Sequence, residues 1–233
     1  MGNIVLPNTS LCSIVRDELM NPAGGIKDFI ECIVPYVEQA VIVDTGSLDG
    51  TREILEELKS IYPNLQIYDR KFDNFADSRN YSLSKIETEK ALVLDADERI
   101  FSEDIEKLYN FEIKNPDKDF SFYFFYVLPT GEQFGSRDGG HNPRLFKVEG
   151  RYYINKKQNF IEQLCNSSRE INPKYLFFDF IKIVHFVIDR KSNDKKNKDW
   201  YKNVVYKGLD KAPSQIDSFK EWKAFNPYRL NFQ

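Results

Sequence analysis

Short apolar runs alternate along the first half of the chain with longer segments whose apolar positions recur every third or fourth residue. The runs at residues 11–15, 40–43, 65–68 and 91–94 are rich in branched side chains and bounded by polar residues, the pattern of strands buried in a parallel sheet. Helical periodicity begins near Ile26 and at Thr51 and recurs near residues 76–84. Strand and helix thus alternate with short connections, which predicts right-handed βαβ units, an α/β fold and a mostly parallel central sheet flanked by helices. A further helix is predicted at residues 102–110, and there the rhythm changes. Residues 120–128 read as a long aromatic strand, 144–148 and 181–187 as further strands, and 200–209 as a helix. This is a smaller mixed α+β portion. Without an internal repeat or low-complexity linker, residues 1–233 are expected to form one domain with halves at about 1–112 and 113–233.

The predicted strands end in chemistry. The fourth run stops in Asp95-Ala96-Asp97-Glu98, so these carboxylates fall at a strand's carboxyl end, where open α/β sheets bind ligands. Carboxylates crowded there repel one another unless a cation or a basic group offsets them. Mg²⁺ or Mn²⁺, each taking one or two carboxylates and filling its other positions with water and substrate phosphate, is one reading. An acidic turn capping the helix at 102–110 is the other. The second strand also ends in an acid, in Val43-Asp44-Thr45-Gly46-Ser47-Leu48-Asp49-Gly50-Thr51. Gly46 and Gly50 permit a sharp turn and a close approach to a ligand, and Asp44 can accept hydrogen bonds from a base or ribose. Ser47 and Asp49 are alternatively helix-capping residues. Neither a P-loop nor a GxGxxG fingerprint is present. In Phe75-Ala76-Asp77-Ser78-Arg79-Asn80, Arg79 and Asn80 are polar outliers. Arg79 suits a diphosphate through its planar fork, or a surface ion pair.

The order and spacing of four motifs resemble the family 2 glycosyltransferases with the GT-A fold: Leu11-Cys12-Ser13-Ile14-Val15-Arg16-Asp17-Glu18, the Val43 to Thr51 segment, Phe75 to Asn80, and Leu94 to Glu98. The resemblance implies metal-dependent, inverting transfer of a sugar from a nucleotide-sugar donor, a UDP-sugar foremost, to a glycan, lipid or protein acceptor. It implies a donor-binding first half and an acceptor-facing second half. Val15, Arg16, Glu18, Asp44, Gly46, Ser47, Arg79, Asp95 and Ala96 would line the nucleotide sugar, with Arg79 near the diphosphate and Asp95 near the ribose or a metal-bound water. Asp97 would ligate Mn²⁺ or Mg²⁺. Where many relatives have Asn-Glu after the first strand, this chain has Asp17-Glu18, which leaves the role of Asp17 open. Asn142-Pro143-Arg144-Leu145-Phe146-Lys147, with Phe160-Ile161-Glu162-Gln163-Leu164 after it, resembles an RLF…HE arrangement in which Ile161 replaces the His. Glu162 is then the candidate general base, with Glu98 and Asp138 as alternatives, and an exposed helix residue as its plain structural reading. His185, ending the apolar strand at 181–187, is by the same resemblance a second metal ligand, and otherwise a hydrogen-bonded core histidine. His141 receives no role.

Composition changes this picture little. The net charge of −3 divides unevenly: residues 1–112 carry 11 Lys/Arg against 22 Asp/Glu, residues 113–233 carry 22 against 14. The basic run Arg190, Lys191, Lys195, Lys196 and Lys198 reads as a solvated loop, with contact to anionic acceptors or a membrane surface as the alternative. Nucleic acid is not expected as a partner. No membrane-spanning run and no signal peptide are evident, so the expected location is cytoplasmic, or peripheral to the inner face of the membrane. The three cysteines lack CxxC spacing and read as reduced core residues. Two other functions compete: a nucleotidyltransferase, which would carry a Gly-rich basic loop where Arg16-Asp17-Glu18-Leu19-Met20 stands, and a nucleotide-sugar-binding module without turnover.

Overall fold

The computed structural model of the chain describes residues 4–19, 25–127, 133–136, 143–156, 161–166, 169–170 and 176–186. In chain order these form β1 (Leu6–Val15), α1 (Gly25–Ile33), β2 (Val37–Asp44), α2 (Thr51–Lys59), β3 (Leu65–Asp69), α3 (Phe75–Leu83), β4 (Lys90–Val93), β5 (Glu98–Arg99) and α4 (Ser102–Lys114). Then come β6 (Phe120–Val127), β7 (Gln133–Ser136), β8 (Leu145–Lys147), β9 (Arg151–Lys156), β10 (Ile161–Asn166), β11 (Arg169–Glu170) and β12 (Leu176–Phe186). The predicted helix at 200–209, His141, Asp138 and the basic run at 190–198 lie outside the described residues.

One sheet carries the order β3-β2-β1-β4-β8-β6-β12-β5, with β7 beside β6, and a small antiparallel sheet carries β11-β10-β9. Parallel pairing joins β3 to β2, β2 to β1 and β1 to β4. Strand β8 runs antiparallel to both β4 and β6, so β6 points the same way as β4, and β12 runs parallel to β6. Six strands therefore share one direction, and their carboxyl ends form one edge. Chain order reverses at β1, between β2 and β4, and the crevice outside that switch point is the expected ligand site of such a sheet.

The period-two alternation of the buried strands sorts side chains onto two faces. Leu11, Ala40, Ile42 and Leu92 join Ile26, Phe29, Ile30 and Ile33 of α1, Leu55 and Leu58 of α2, and Ile105 and Leu108 of α4. Their intervening neighbours Cys12, Val41, Val43, Ala91 and Val93 join Ala76 and Leu83 of α3, Tyr153 of β9 and Leu164 of β10. The first face is an ordinary amphipathic packing, with α1 presenting apolar residues at one turn's spacing. The second is not, because α3 also buries Ser78, Arg79 and Ser82. Among the described residues no helix is long and apolar enough to cross a membrane.

The expected strands and helices of the first half are present, with β1 starting earlier, at Leu6. The polar strands β5, β7, β9, β10 and β11 were not anticipated. Glu162 accordingly lies on a strand, not on an exposed helix, because β10 pairs with β9. All three cysteines are free, and burial pushes the Cys12 thiol up to about 12 against the opposing pull of Ser82 and Arg79, so it is an inert core group.

A buried ion pair ties the two sides of the first half together: Lys90 Nζ on β4 donates to Glu112 Oε1 on α4 at 2.6 Å. Burial raises the Glu112 carboxyl, and Lys90 opposes this. Removing one partner strands the other charge in the interior. Lys90→Ala is therefore expected to lower the unfolding free energy by about 3–5 kcal/mol in urea titration, and Lys90→Met combined with Glu112→Leu to recover most of it.

Candidate functional site

The loops after β1 and β2 are latched to each other at the carboxyl edge. Asp17 N–H donates to Ser47 Oγ (3.0 Å) and Leu48 N–H donates back to Asp17 Oδ1 (2.7 Å). Glu18 N–H donates to Thr51 Oγ1 and Leu19 N–H to Asp49 Oδ2, both at 2.8 Å. Asp49 also accepts the Thr51 N–H at the start of α2, but Gly50 and not Asp49 stands at the N-cap, so neither Ser47 nor Asp49 is the N-cap residue; Ser47 serves the latch. Val15 is buried, and its carbonyl accepts both the N–H and the hydroxyl of Thr45. Gly46, with φ of 108°, permits the turn that brings its own N–H and that of Ser47 onto Asp44 Oδ1, at 2.8 and 2.7 Å. Asp44 Oδ2 is buried and has no hydrogen-bond partner among the described residues. One of its oxygens thus builds the turn, and the other is an unengaged acceptor among the described residues. The Arg16 side chain is half exposed, 3.7 Å from Asp17.

Across the switch point, the turn after β4 presents the acidic cluster. Arg99, buried and stacked on the Phe29 ring at 5.3 Å, donates to the carbonyls of Ala96 (2.7 Å) and Glu98 (2.8 Å) and so fixes the turn's backbone. Each acid then meets a different environment. Asp95 pairs with Arg79 Nη2 and lies 3.9 Å from Arg144 Nη2. Burial would raise its carboxyl, but the two guanidiniums outweigh it and hold it at about 2. Glu98, fully buried, accepts from Arg144 Nη2 (2.6 Å) and from the Asp95 N–H (2.9 Å), and lies 3.3 Å from His185 Nδ1. Asp97 receives no hydrogen bond from any described residue; its nearest cation is His185 Nε2 at 3.8 Å. Burial, followed by Asp95, Glu98 and Glu18 against the pull of His185, pushes the Asp97 carboxyl up to about 6. For His185 burial is opposed by Asp97 and Glu98, which bring the imidazole up to about 9.

Arg79 links this cluster to the small sheet. It is buried on α3, and its Nε donates to Glu162 Oε1 on β10 at 3.4 Å. Its Nη1 is buried with no partner among the described residues. Asp44, Arg79, Asp95, Ala96, Asp97, Glu162 and His185 therefore gather at the carboxyl edge, from β2, α3, the β4–β5 turn, β10 and β12. Arg79 is a buried cation held by two acids and not a surface ion pair, and the 95–98 segment is not merely a helix cap, because Phe101 and not an acid stands at the start of α4.

Residues 26–175 match the family described as Glycosyl transferase family 2. The chain belongs to glycosyl transferase family 2.

Similar curated proteins are the minor teichoic acid biosynthesis protein GgaA of Bacillus subtilis, 27% identical over 66% of this chain, and the cholesterol galactosyltransferase of Borreliella burgdorferi, 30% identical over 39% of it. The aligned regions cover only 33% and 26% of those proteins' own lengths. Among solved structures, S. aureus TarS is similar with a TM-score of 0.51 at 15% identity, covering 63% of this chain and 30% of that one. GalNAc-T7 with UDP, GalNAc and Mn²⁺ is similar with a TM-score of 0.52 at 10% identity, covering 80% and 45%. These likenesses show the fold, and it is the GT-A arrangement expected from the motifs.

For a family 2 chain the donor set fits a divalent cation in one particular way. No three His, Cys, Asp or Glu side chains among the described residues stand as a ready metal cage. Mg²⁺ and Mn²⁺ need no such cage when one or two side chains are joined by water and substrate phosphate, and Asp97, raised by burial and by its acidic neighbours and unbonded among the described residues, is the carboxylate that a cation would relieve.

Two arginines escaped the sequence reading. Arg144 lies in the Asn142 to Lys147 segment, and its ionic partners Asp95 and Glu98 come from folding, not from spacing; Arg99 sits just past the acids, and its bonds go to backbone carbonyls, which no side-chain pattern reveals. The Asp17 departure also has a physical account. Asp17 adopts φ of 53°, a left-handed conformation that Asn and Asp enter most readily, and its side chain accepts the Leu48 N–H as an asparagine oxygen would. Asp17→Asn is expected to stay within about 0.5 kcal/mol of the parent in denaturant titration, whereas Asp17→Val, β-branched and without an acceptor, is expected to lose about 1–2 kcal/mol.

Proposed function

We propose that this chain carries a metal-dependent, inverting glycosyl transfer from a nucleotide-sugar donor, a UDP-sugar foremost, to a hydroxyl of a glycan, lipid or protein acceptor. The observation that carries the reading is the contrast between two aspartates two positions apart: Asp95 is neutralised by Arg79 and Arg144, while Asp97 is left unbonded among the described residues and crowded by acids. Family membership supports it, as do the names of the relatives, a cholesterol galactosyltransferase and a teichoic acid biosynthesis protein. The structure of GalNAc-T7 holds UDP, GalNAc and Mn²⁺, the ligand set that the reading calls for.

In this reading Asp44 Oδ2 accepts a hydrogen bond from the donor's base or ribose, and the latched loops after β1 and β2 form the wall against which the nucleotide lies. Asp97, with His185 once its imidazole has released its proton, would hold Mn²⁺ or Mg²⁺, which would supply positive charge to the departing diphosphate. The acceptor oxygen attacks the anomeric carbon on the face opposite the diphosphate, the carbon–oxygen bond to phosphate breaks, and the hydroxyl proton passes to the Glu162 carboxylate. Arg79 bridges Asp95 and Glu162 and so holds the two carboxylates side by side. The basic run at 190–198 would meet an anionic acceptor or a membrane surface.

A thermal-shift series with UDP, UDP-galactose and UDP-N-acetylglucosamine, with and without Mn²⁺, is expected to show stabilisation by ligand that depends on the metal. Asp97→Asn is expected to abolish the Mn²⁺-dependent part of that shift; retention of the full shift would move the metal away from Asp97. Glu162→Gln is expected to keep donor affinity while transfer falls by about 10²-fold or more. Undiminished transfer would leave Glu98 or Asp138 as the base.

A further inference from the structure

Arg79 enters the reading above, but its neighbour Asn80, singled out by the same motif, does not. The Asn80 side chain makes two hydrogen bonds to a single residue of the small sheet: its Nδ2 donates to the Tyr153 carbonyl (2.8 Å), and its Oδ1 accepts the Tyr153 N–H (2.6 Å). A carboxamide carries one donor side and one acceptor in a plane, as a peptide group does, so Asn80 takes the place of a neighbouring strand along the edge of β9. The same face of α3 makes two further ties, since residues 76, 79 and 80 are one turn apart. Ala76 N–H donates to Asn155 Oδ1 (3.4 Å) and Arg79 Nε to Glu162 Oε1 (3.4 Å). In the β9–β10 register Tyr153 stands opposite Leu164 and Asn155 opposite Glu162. The residues that α3 grips are therefore the cross-strand neighbours of the proposed base and of the residue two positions beyond it. Tyr153 is itself anchored, its ring buried edge-on to Phe146 at 6.5 Å.

We propose that Asn80 is a positioning residue for Glu162: by holding both backbone groups of Tyr153 it fixes the β9–β10 sheet against α3 and so sets the Glu162 carboxylate at its distance from the acidic turn. The proposal rests on the reading of Glu162 as the base. Both polar atoms of the Asn80 side chain are engaged by Tyr153, so it acts through the sheet. Its loss displaces a carboxylate whose work depends on placement, and displacements of about 1 Å can cost up to about 10²-fold in rate.

The test uses the full chain with Asn80→Ala, Glu162→Gln and the two combined. UDP affinity in Mn²⁺ is read by calorimetry, and turnover as UDP release from UDP-galactose and UDP-N-acetylglucosamine with water as acceptor. Asn80→Ala is expected to leave UDP affinity within about twofold and to lower the release rate about tenfold. In the Glu162→Gln background the same change is expected to cost less than about twofold, because groups that act as a unit are not additive. A merely structural role would lower UDP affinity and rate together, or give losses that multiply across the two sites, and either result overturns the proposal. If Glu162→Gln alone leaves the rate unchanged, or the parent releases no UDP from either sugar, the function itself is misread and the proposal falls with it. Asn155→Ala, an exposed change that removes one tie without opening the core, serves where Asn80→Ala yields too little folded protein. It is expected to lower the rate about twofold with UDP affinity intact, and an unchanged rate overturns the proposal.

Discussion

The carboxyl edge of this sheet concentrates negative charge, and the fold is arranged to tolerate it. Asp95, Asp97, Glu98 and Glu18 influence one another there, and the cations that answer them come from widely separated parts of the chain: Arg79 from α3, Arg144 from just before β8, His185 from the end of β12. None of the three is a local neighbour on the acidic turn. Acids this close in a partly buried corner are acceptable only once those distant elements have arrived, so the electrostatics of the site require the complete sheet. Arg99 works differently: its guanidinium is directed to the carbonyls of the turn, so it shapes the backbone on which the acids are displayed.

This division explains what the sequence disclosed. Strands of the parallel half are buried on both faces, and their apolar runs are visible without knowing their partners, so β1 to β4 and α1 to α4 could be read along the chain. The acids were visible because they terminate such a run. What pairs with them was not, since Arg79 and Glu162 are 83 positions apart and Arg144 and Glu98 are 46 apart. Short antiparallel strands such as β9 and β10 have polar alternations that resemble loops or helices, which is why Glu162 could be read as an exposed helix residue. Asp17 was undecidable for another reason: its role follows from a backbone angle, and no spacing reveals a positive φ.

Helix α3 has no continuous apolar stripe, and that is its function in the fold. Where α1, α2 and α4 press apolar faces onto the sheet, α3 adds to the apolar Ala76 and Leu83 a buried set of Ser78, Arg79 and Ser82 and hydrogen bonds to β9. It joins a rigid parallel sheet to a small antiparallel one by directional contacts. Directional contacts fix distance and angle more narrowly than apolar packing does.

The latch between the loops after β1 and β2 bears on affinity. Four backbone N–H groups are already committed across it, so the segment that borders Asp44 is ordered before anything binds. Ordering a loop on binding consumes part of the interaction energy, and a wall that is already set spares that loss. Selectivity among nucleotides would then arise from the fixed outline of a preorganised surface, not from a loop reshaping itself around each candidate.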